Sequence, residues 1–141
     1  MSLSEINSVA EDLGQYILES GIMENPAGVA ALYPNTSVPT NGLPESFLEI
    51  TGNGPMTTMV SQFGISDYHI LLILNVKLKS TGEVNTQRED FLLSLIDGSL
   101  KGVITVGKYH YSIDKRQMVY SGRDLISGYS SKIININVKI Y

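Results

Sequence analysis

Ser-Ser-Lys-Ile-Ile-Asn-Ile-Asn-Val-Lys-Ile-Tyr, residues 130–141, is the stretch that decides the fold. From Ile134 onward, Ile or Val occupies every second position, and Asn135, Asn137 and Lys139 fall between them. Because successive side chains of a strand point to opposite faces, this alternation predicts one face against a core and one toward water. β-Branched side chains pack well on a pleated surface. We therefore expect this strand at or near the centre of a sheet, with the rest of the fold beside it.

Two helices are predicted from apolar residues that recur at helical spacing. The first covers residues 2–19. The second covers residues 83–97, with Ser80 and Glu83 as a capping box at its start and Gly98 as its end. Its apolar stripe is expected to face the sheet and consists of Val84, Arg88, Phe91, Leu92, Leu95 and Ile96.

Further strands are predicted at residues 45–51, 67–80, 103–106, 109–114 and 117–121. The strand at 67–80 is apolar on both faces in its first half, and from Asn75 onward one face is polar. Gly107-Lys108 predicts a tight hairpin, because glycine suits the first position of a type II′ turn. Together these elements predict a single α+β domain over residues 1–141. Its mainly antiparallel β-sheet is flanked by an N-terminal helix and a central helix.

Two long segments, residues 21–44 and 52–66, have no regular apolar pattern. The first contains most of the prolines, which fix φ and remove a backbone donor, so long regular structure is not expected there. A short apolar piece at 29–33 is expected to pack onto the body of the domain. Irregular segments of this length in a compact domain are usually functional or mobile.

The charge is distributed unevenly along the chain. Residues 1–76 contain eight acidic residues and no basic residue, a net charge of −8. Residues 77–141 contain ten basic and six acidic residues, a net charge of +4. The total of −4, without a basic N-terminal face, argues against a nucleic-acid-binding surface. Either the asymmetry reflects a few surface loops, or an acidic and a basic side of the subunit meet in neighbouring copies.

No catalytic or metal-binding constellation is visible in the sequence. Cysteine is absent, which excludes disulfides, thiolate zinc sites and cysteine nucleophiles. His69 and His110 lie in predicted strands without convergent ligands. We therefore expect no cofactor, no metal and no enzymatic activity.

The sequence also predicts neither a membrane span nor a secretion signal. No stretch approaches the roughly 20 apolar residues of a spanning helix. Glu5 and Glu11 stand where a signal peptide would carry positive charge. Synthesis in the cytosol is therefore expected.

Short motifs run through residues 46–141. A strand ends in Gly-Asn-Gly-Pro at 52–55, and a long strand and a helix follow. Next come a Val-Ile-Thr-Val-Gly-Lys-Tyr-His-Tyr-Ser-Ile hairpin at 103–113, Gln117 before Gly122-Arg123-Asp124, and the Asn-containing terminal strand. This pattern resembles the tail terminator, or tail completion, proteins of long-tailed bacteriophages, including the bacteriophage minor capsid protein group. The proline-rich segment at 21–44 is longer than the loop expected at this place in the family.

The resemblance implies a structural virion protein that is not an enzyme. Such subunits form a ring, hexameric in this family, that terminates the tail tube and joins it to the head-side connector. The implied partners are further copies of the chain, the tail tube protein and a head-tail connector or neck protein. DNA would pass through the lumen without specific binding, and an acidic lumen would keep it from sticking. The implied location is the tail or neck of the virion, after synthesis in the bacterial host cytoplasm.

The sequence also allows an alternative function from another class of protein. It is a small-ligand or peptide-binding α+β domain, which would use the sheet face or residues 56–63 as a pocket. A ring should be detectable as a large solution mass, whereas a ligand-binding module does not need to self-associate.

Interface residues are predicted from the charge pattern and from the two irregular segments. The basic candidates are Lys77, Lys79, Lys115, Arg116 and Arg123. Arg123 is favoured because a guanidinium can bind a carboxylate through two parallel hydrogen bonds. Asp124 is either part of this interface or the partner of Arg123 within the same chain. Segments 21–44 and 52–66 are expected to order against neighbouring subunits or the tail tube, with apolar contacts from Tyr33, Met59 and Phe63.

Overall fold

The computed structural model describes residues 3–19, 31–34, 39, 41–52, 66–100, 102–106, 109–123 and 126–140. In chain order the elements are helix α1 (Leu3–Leu18), strands β1 (Ala31–Pro34), β2 (Ser46–Gly52) and β3 (Ser66–Lys77), helix α2 (Thr86–Ser99), and strands β4 (Gly102–Val106), β5 (Tyr109–Arg123) and β6 (Tyr129–Ile140). The fold is α+β, as the sequence predicted.

The six described strands form one sheet in the order β1-β2-β3-β6-β5-β4. β1 and β2 are parallel, and every other neighbouring pair among the described strands is antiparallel. β6 lies between β3 and β5, so the expectation of a central C-terminal strand is confirmed. Val106 pairs with Tyr109, which agrees with the predicted two-residue hairpin loop between β4 and β5.

Both helices contribute to a core on one face of the sheet, here called the core face. Residues that pair across neighbouring strands share a face. Leu48 pairs with Leu74, and Ile70 pairs with Ile136, so these side chains lie together. The buried apolar cluster consists of Ala10, Leu13, Ile17, Leu48, Ile50, Ile70, Leu72, Leu74, Val76, Leu92, Ile96, Leu100, Ile134 and Ile136.

Gly14 determines how closely α1 approaches the sheet. A methyl group at this position would lie 3.3 Å from Leu32 Cδ2 and 3.6 Å from Ile50 Cγ2. The Tyr16 hydroxyl donates to the Ser99 carbonyl oxygen at 3.2 Å, which joins α1 to the last turn of α2. α1 is therefore fixed both against β1 and β2 and against the C-terminal end of the second helix.

The second helix begins later than predicted. Asn85 is the N-cap, and its side-chain oxygen accepts a hydrogen bond from Arg88 N at 3.2 Å. The expected capping box at Ser80 was wrong, because Gly82 turns the chain first. Its φ is +84°, and its N–H donates to the Lys79 carbonyl oxygen at 2.8 Å. The helix ends at Ser99, so the predicted stop at Gly98 lies inside the last turn.

Phe91 does not belong to the core, so that prediction was wrong. Its side chain is 42% exposed, whereas Ile136 is buried as expected. α2 instead buries Glu89, Leu92 and Ile96. One of the positions that face the core is occupied by Glu89, a carboxylate. A search for apolar residues passes over it and assigns the buried side of the helix to Phe91 instead.

Several of the strand predictions required correction. The piece at 29–33 was expected only to pack onto the domain, but its described residues belong to β1 (Ala31–Pro34), an edge strand parallel to β2. β3 ends at Lys77 rather than Ser80. Asn75 is fully buried, although the alternation placed it toward water. A polar side chain can occupy such a position when it has hydrogen-bond partners, which Asn75 has.

β5 is a single strand rather than two shorter ones. It runs without a break from Tyr109 to Arg123, past the predicted connection at Gly122. Its register with β6 shifts between Ile113 and Lys115 and again between Met118 and Tyr120. Such bulges insert one extra residue and reverse the alternation of faces, which explains why a strict two-residue period missed the continuous strand.

We expect Phe47→Ala to lower the free energy of unfolding by about 3–5 kcal/mol, because Phe47 is fully buried. Phe91→Ala should lower it by less than about 1 kcal/mol, since it removes an exposed ring. Urea unfolding of both variants measures the difference. Equal losses would mean that Phe91 is a core residue after all.

We expect Gly14→Leu to lower the free energy of unfolding by about 1–3 kcal/mol, because the larger side chain collides with Leu32 and Ile50. Gly98→Leu is the matched control, since an added Cβ there has no atom within 4 Å and the position is also helical. Thermal unfolding of both proteins tests this. A loss of stability in the control as large as in Gly14→Leu would contradict it.

Candidate interface surfaces

An open groove of about 740 Å³ lies at the end of the sheet where β2 begins and β3 ends. Its walls come from the start of β2, the end of β3 with the turn that follows, the first turn of α2, and Gly128 ahead of β6. Lys77, Lys79 and Arg88 line it, together with the acidic Glu45. This surface is called the basic groove.

The basic charges of the groove are held in different ways. Lys77 and Lys79 are exposed, so their ammonium groups are free to move in solvent. Arg88 is half-buried: its Nη2 lies 3.5 Å from Ser46 Oγ, and its Cζ lies 5.8 Å from the centre of the Phe91 ring. A guanidinium over an aromatic face is attracted by the ring quadrupole. Arg88 therefore lies between the groove and the exposed Phe91 ring.

A buried carboxylate holds the α2 wall of the groove in place. Ser130 Oγ donates to Glu89 Oε2 at 2.6 Å and also lies 3.3 Å from the Val76 carbonyl oxygen. Glu89 Oε1 lies 4.0 Å from Lys132 Nζ. These contacts join the first half of α2 to β6. The sequence signal for this role is the spacing of Glu89 from Leu92 and Ile96, which puts all three on one side of a helix.

The second face of the sheet, opposite the core face, carries a row of polar contacts at the same end. Asn75 Nδ2 donates to Glu49 Oε2 at 2.8 Å. Ser131 Oγ donates to Asn75 Oδ1 at 2.6 Å. β2, β3 and β6 are thus joined by side chains as well as by their backbones at this end of the sheet.

Three aromatic rings pack next to this polar row. The Phe47 ring lies 5.5 Å from the Tyr33 ring and 5.3 Å from the Tyr129 ring, both edge to face. The Tyr129 hydroxyl donates to the Pro44 carbonyl oxygen at 2.6 Å. Burial raises the pKa of Tyr129, and the nearby Tyr33 and Glu45 act in the same direction. Tyr33, predicted as an interface residue, therefore already has a packing role within its own chain.

The outer surface of α1 is acidic. Glu11, Gln15, Leu18 and Glu19 are all exposed and are spaced so that they lie on one side of the helix. This set is called the acidic stripe. Gln15 Nε2 donates to Glu19 Oε1 at 2.9 Å, and Leu18 is 49% exposed. The opposite side of α1 buries Ala10, Leu13 and Ile17 in the core.

The acidic stripe and the basic groove are associated with opposite ends of α2. The groove includes Asn85 and Arg88 at the start of that helix, whereas Tyr16 of α1 bonds to Ser99 at its end. α2 has 14 residues, and at 1.5 Å per residue its two ends are about 20 Å apart. The described surface thus carries two patches of opposite charge in different places.

The structure brings two of the five predicted basic residues together in the groove and places a third at the same end of the sheet. Lys77 and Lys79 line the groove. The backbone of Arg123 pairs with Ser130, which pairs in turn with Val76, so Arg123 lies two strands away at the same end of the sheet.

Lys115 and Arg116 lie elsewhere. Arg116 pairs with Ile136, and Ile136 pairs with Ile70 of β3. Ile70 is six residues from Val76, or about 20 Å along the strand. The predicted basic residues therefore do not form one continuous patch. Asp124, Met59 and Phe63 fall outside the described residues, and so does the pocket predicted at 56–63.

Sequence reasoning missed several residues of these surfaces. Arg88 was assigned to an apolar stripe and Phe91 to the core, and Leu18 and Glu19 were not predicted as interface residues. The signal that could have found Leu18 and Glu19 is their position about two turns after Glu11, on the side of α1 away from its buried residues.

Comparison of the sequence with protein-family models gives no match, and comparison with curated proteins gives none either. Within the described part of the chain, neither helix is long and apolar enough to cross a membrane. The same residues contain no group of three or more acidic or histidine side chains arranged to hold a metal ion. Function must therefore be argued from the two charged surfaces.

We expect Glu89→Ala to lower the free energy of unfolding by about 1–3 kcal/mol, because it leaves the buried Ser130 hydroxyl and Lys132 without their carboxylate. Asp90→Ala, an exposed acidic neighbour in the same helix, is the control and should change stability by no more than about 0.5 kcal/mol. Urea unfolding midpoints measure both. If the two variants are equally stable, Glu89 does not hold α2 to the sheet.

Proposed function

We propose that the chain is a structural virion protein of a long-tailed bacteriophage. In this proposal, copies form a ring, hexameric as in the family that the sequence resembles, which terminates the tail tube and joins it to the head-side connector. The observation that carries the proposal is the separation of an acidic stripe from a basic groove on one subunit. A closed ring requires head-to-tail contacts between two unlike surfaces, and these two patches meet that requirement.

The sequence motifs supply independent support. The strand before Gly-Asn-Gly-Pro, the long strand, the helix, the hairpin and the terminal strand correspond to β2, β3, α2, β4–β5 and β6. The resemblance therefore covers the elements that build the sheet and one wall of the groove. It associates these elements with a virion protein made in the host cytoplasm, whose partners are the tail tube protein and a connector or neck protein.

Charge alone would not hold such a ring together. Exposed ion pairs contribute about 0–1 kcal/mol each and are screened within roughly 8 Å at physiological salt. Apolar contact has to supply most of the affinity, while complementary charge sets the register and speeds encounter. DNA passing through the lumen would meet a chain with a net charge of −4, which suits transit without specific binding.

The groove also favours a second candidate function. A volume of about 740 Å³ with two exposed lysines and an arginine in its lining suits a small anionic ligand or an acidic peptide. A binding module of this kind does not need to self-associate. The two candidates therefore differ in the solution mass that they predict.

The test is assembly, measured by light scattering and by electron micrographs of the purified protein. We expect closed rings, either in solution or on the ends of tubes formed by the tail tube protein of the same virus. The protein is examined both alone and with tubes, because some ring subunits stay monomeric until a tail is present. Tubes incubated without the protein are the control. A chain that stays monomeric alone and leaves tube ends bare is not a tail terminator.

A further inference from the structure

Each of the two charged surfaces has an exposed apolar side chain on it or beside it. Among the described residues, the large apolar side chains with substantial exposure are Leu18, at 49%, and Phe91, at 42%. Leu18 belongs to the acidic stripe, and Phe91 lies beside Arg88, which lines the basic groove. Residues of this kind supply the affinity that surface charge cannot.

The charges around the two apolar residues are complementary. Leu18 lies next to Glu19 and two turns after Glu11, and the described part of α1 contains no basic residue. Phe91 lies one turn after Arg88, which shares the groove with Lys77 and Lys79. Each surface therefore combines one exposed apolar side chain with charges of a single dominant sign.

The stripe cannot reach the groove of its own subunit. The hydrogen bond from the Tyr16 hydroxyl to the Ser99 carbonyl oxygen holds α1 at the last turn of α2, while the groove is at the first turn. Gly14 lets α1 pack closely over Leu32 of β1 and Ile50 of β2, away from the groove. Within the described part of the chain the two surfaces lie apart, so a contact between a stripe and a groove joins two molecules.

We propose that the acidic stripe of one copy docks on the basic groove of the next. In this contact Leu18 packs against Phe91, and Glu11 and Glu19 face Lys77 and Lys79. The occupant is a second copy of this chain, because that copy carries a surface of matching charge and matching apolar character. The inference rests on the proposed function only in requiring that copies associate head to tail; the choice of surfaces is independent of it.

A charge-swap experiment tests the pairing. Variant A carries Lys77→Glu and Lys79→Glu, so its groove and its stripe are both acidic. Variant B carries Glu11→Lys and Glu19→Lys, so both of its surfaces are basic. Each variant alone should associate at least about tenfold more weakly than the wild type, because like charges face each other.

Mixing the two variants should restore assembly. The acidic groove of A then meets the basic stripe of B, and the basic groove of B meets the acidic stripe of A. A six-membered ring closes with strict alternation, so we expect rings with equal amounts of both variants. Native mass spectrometry gives that composition, and sedimentation gives the yield.

A matched control separates this pairing from a general effect of net charge. Asp90→Lys with Asp97→Lys changes the net charge as much as variant B does, at exposed positions of α2 outside the stripe. This control should assemble like the wild type. Circular dichroism and thermal unfolding of all variants establish that each one folds.

The outcomes are distinct for the docking contact and for the proposed function. Wild-type protein that assembles neither in solution nor on tubes contradicts the proposed function. If the wild type forms rings and variants A and B form them equally well, the proposed ring function is supported but the proposed docking contact is wrong. Loss of assembly in both variants without recovery in the mixture also overturns the pairing. Loss in A alone would mean that the groove takes a different acidic segment, which overturns it as well.

Discussion

The register between β3 and β6 is the constraint on which the rest of the structure depends. Ile70 opposite Ile136 and Leu72 opposite Ile134 place the apolar side chains of both central strands on the core face. A slip of one residue would turn every one of these side chains to the other face, so the two helices would lose the surface they cover. The same register puts Ser130 on the core face and Ser131 on the second face.

These two serines hold polar side chains on the two faces of the sheet at this end. Ser130 binds the buried carboxylate of Glu89, and Ser131 binds Asn75, which in turn holds Glu49. A buried carboxylate costs desolvation energy, so even when paired it adds little over a well-packed apolar residue, although removing it leaves its partners unsatisfied. Its contribution here is geometric, because it selects one position of α2 relative to β6. That position presents Arg88 to the groove and leaves Phe91 in solvent.

The two charged surfaces follow from this arrangement and from the packing of α1. α1 uses one side for the core, and because it lies over β1 and β2 its acidic side faces outward at the far end of α2 from the groove. Opposite charges on separate parts of one rigid subunit suit head-to-tail association, which closes into a ring when the rotation between copies allows it. A surface that pairs only with itself would give a dimer instead. The proposed ring function and the proposed docking contact both derive from this separation.

The sequence by itself determined the fold class, the two helices and the central position of the last strand, because local periodicity of apolar residues reports which side of an element is buried. It also determined the charge asymmetry, because the positions of acidic and basic residues along the chain are read directly from the sequence. Tertiary structure decided the remainder. The inward Glu89 and the buried Asn75 depend on hydrogen-bond partners more than 20 residues away, and no local pattern encodes these. The bulges that keep β5 continuous arise from pairing with β6. Where the basic residues lie relative to one another was likewise decided by strand register, which places Arg123 of β5 at the same end of the sheet as Lys77 of β3, with β6 between them.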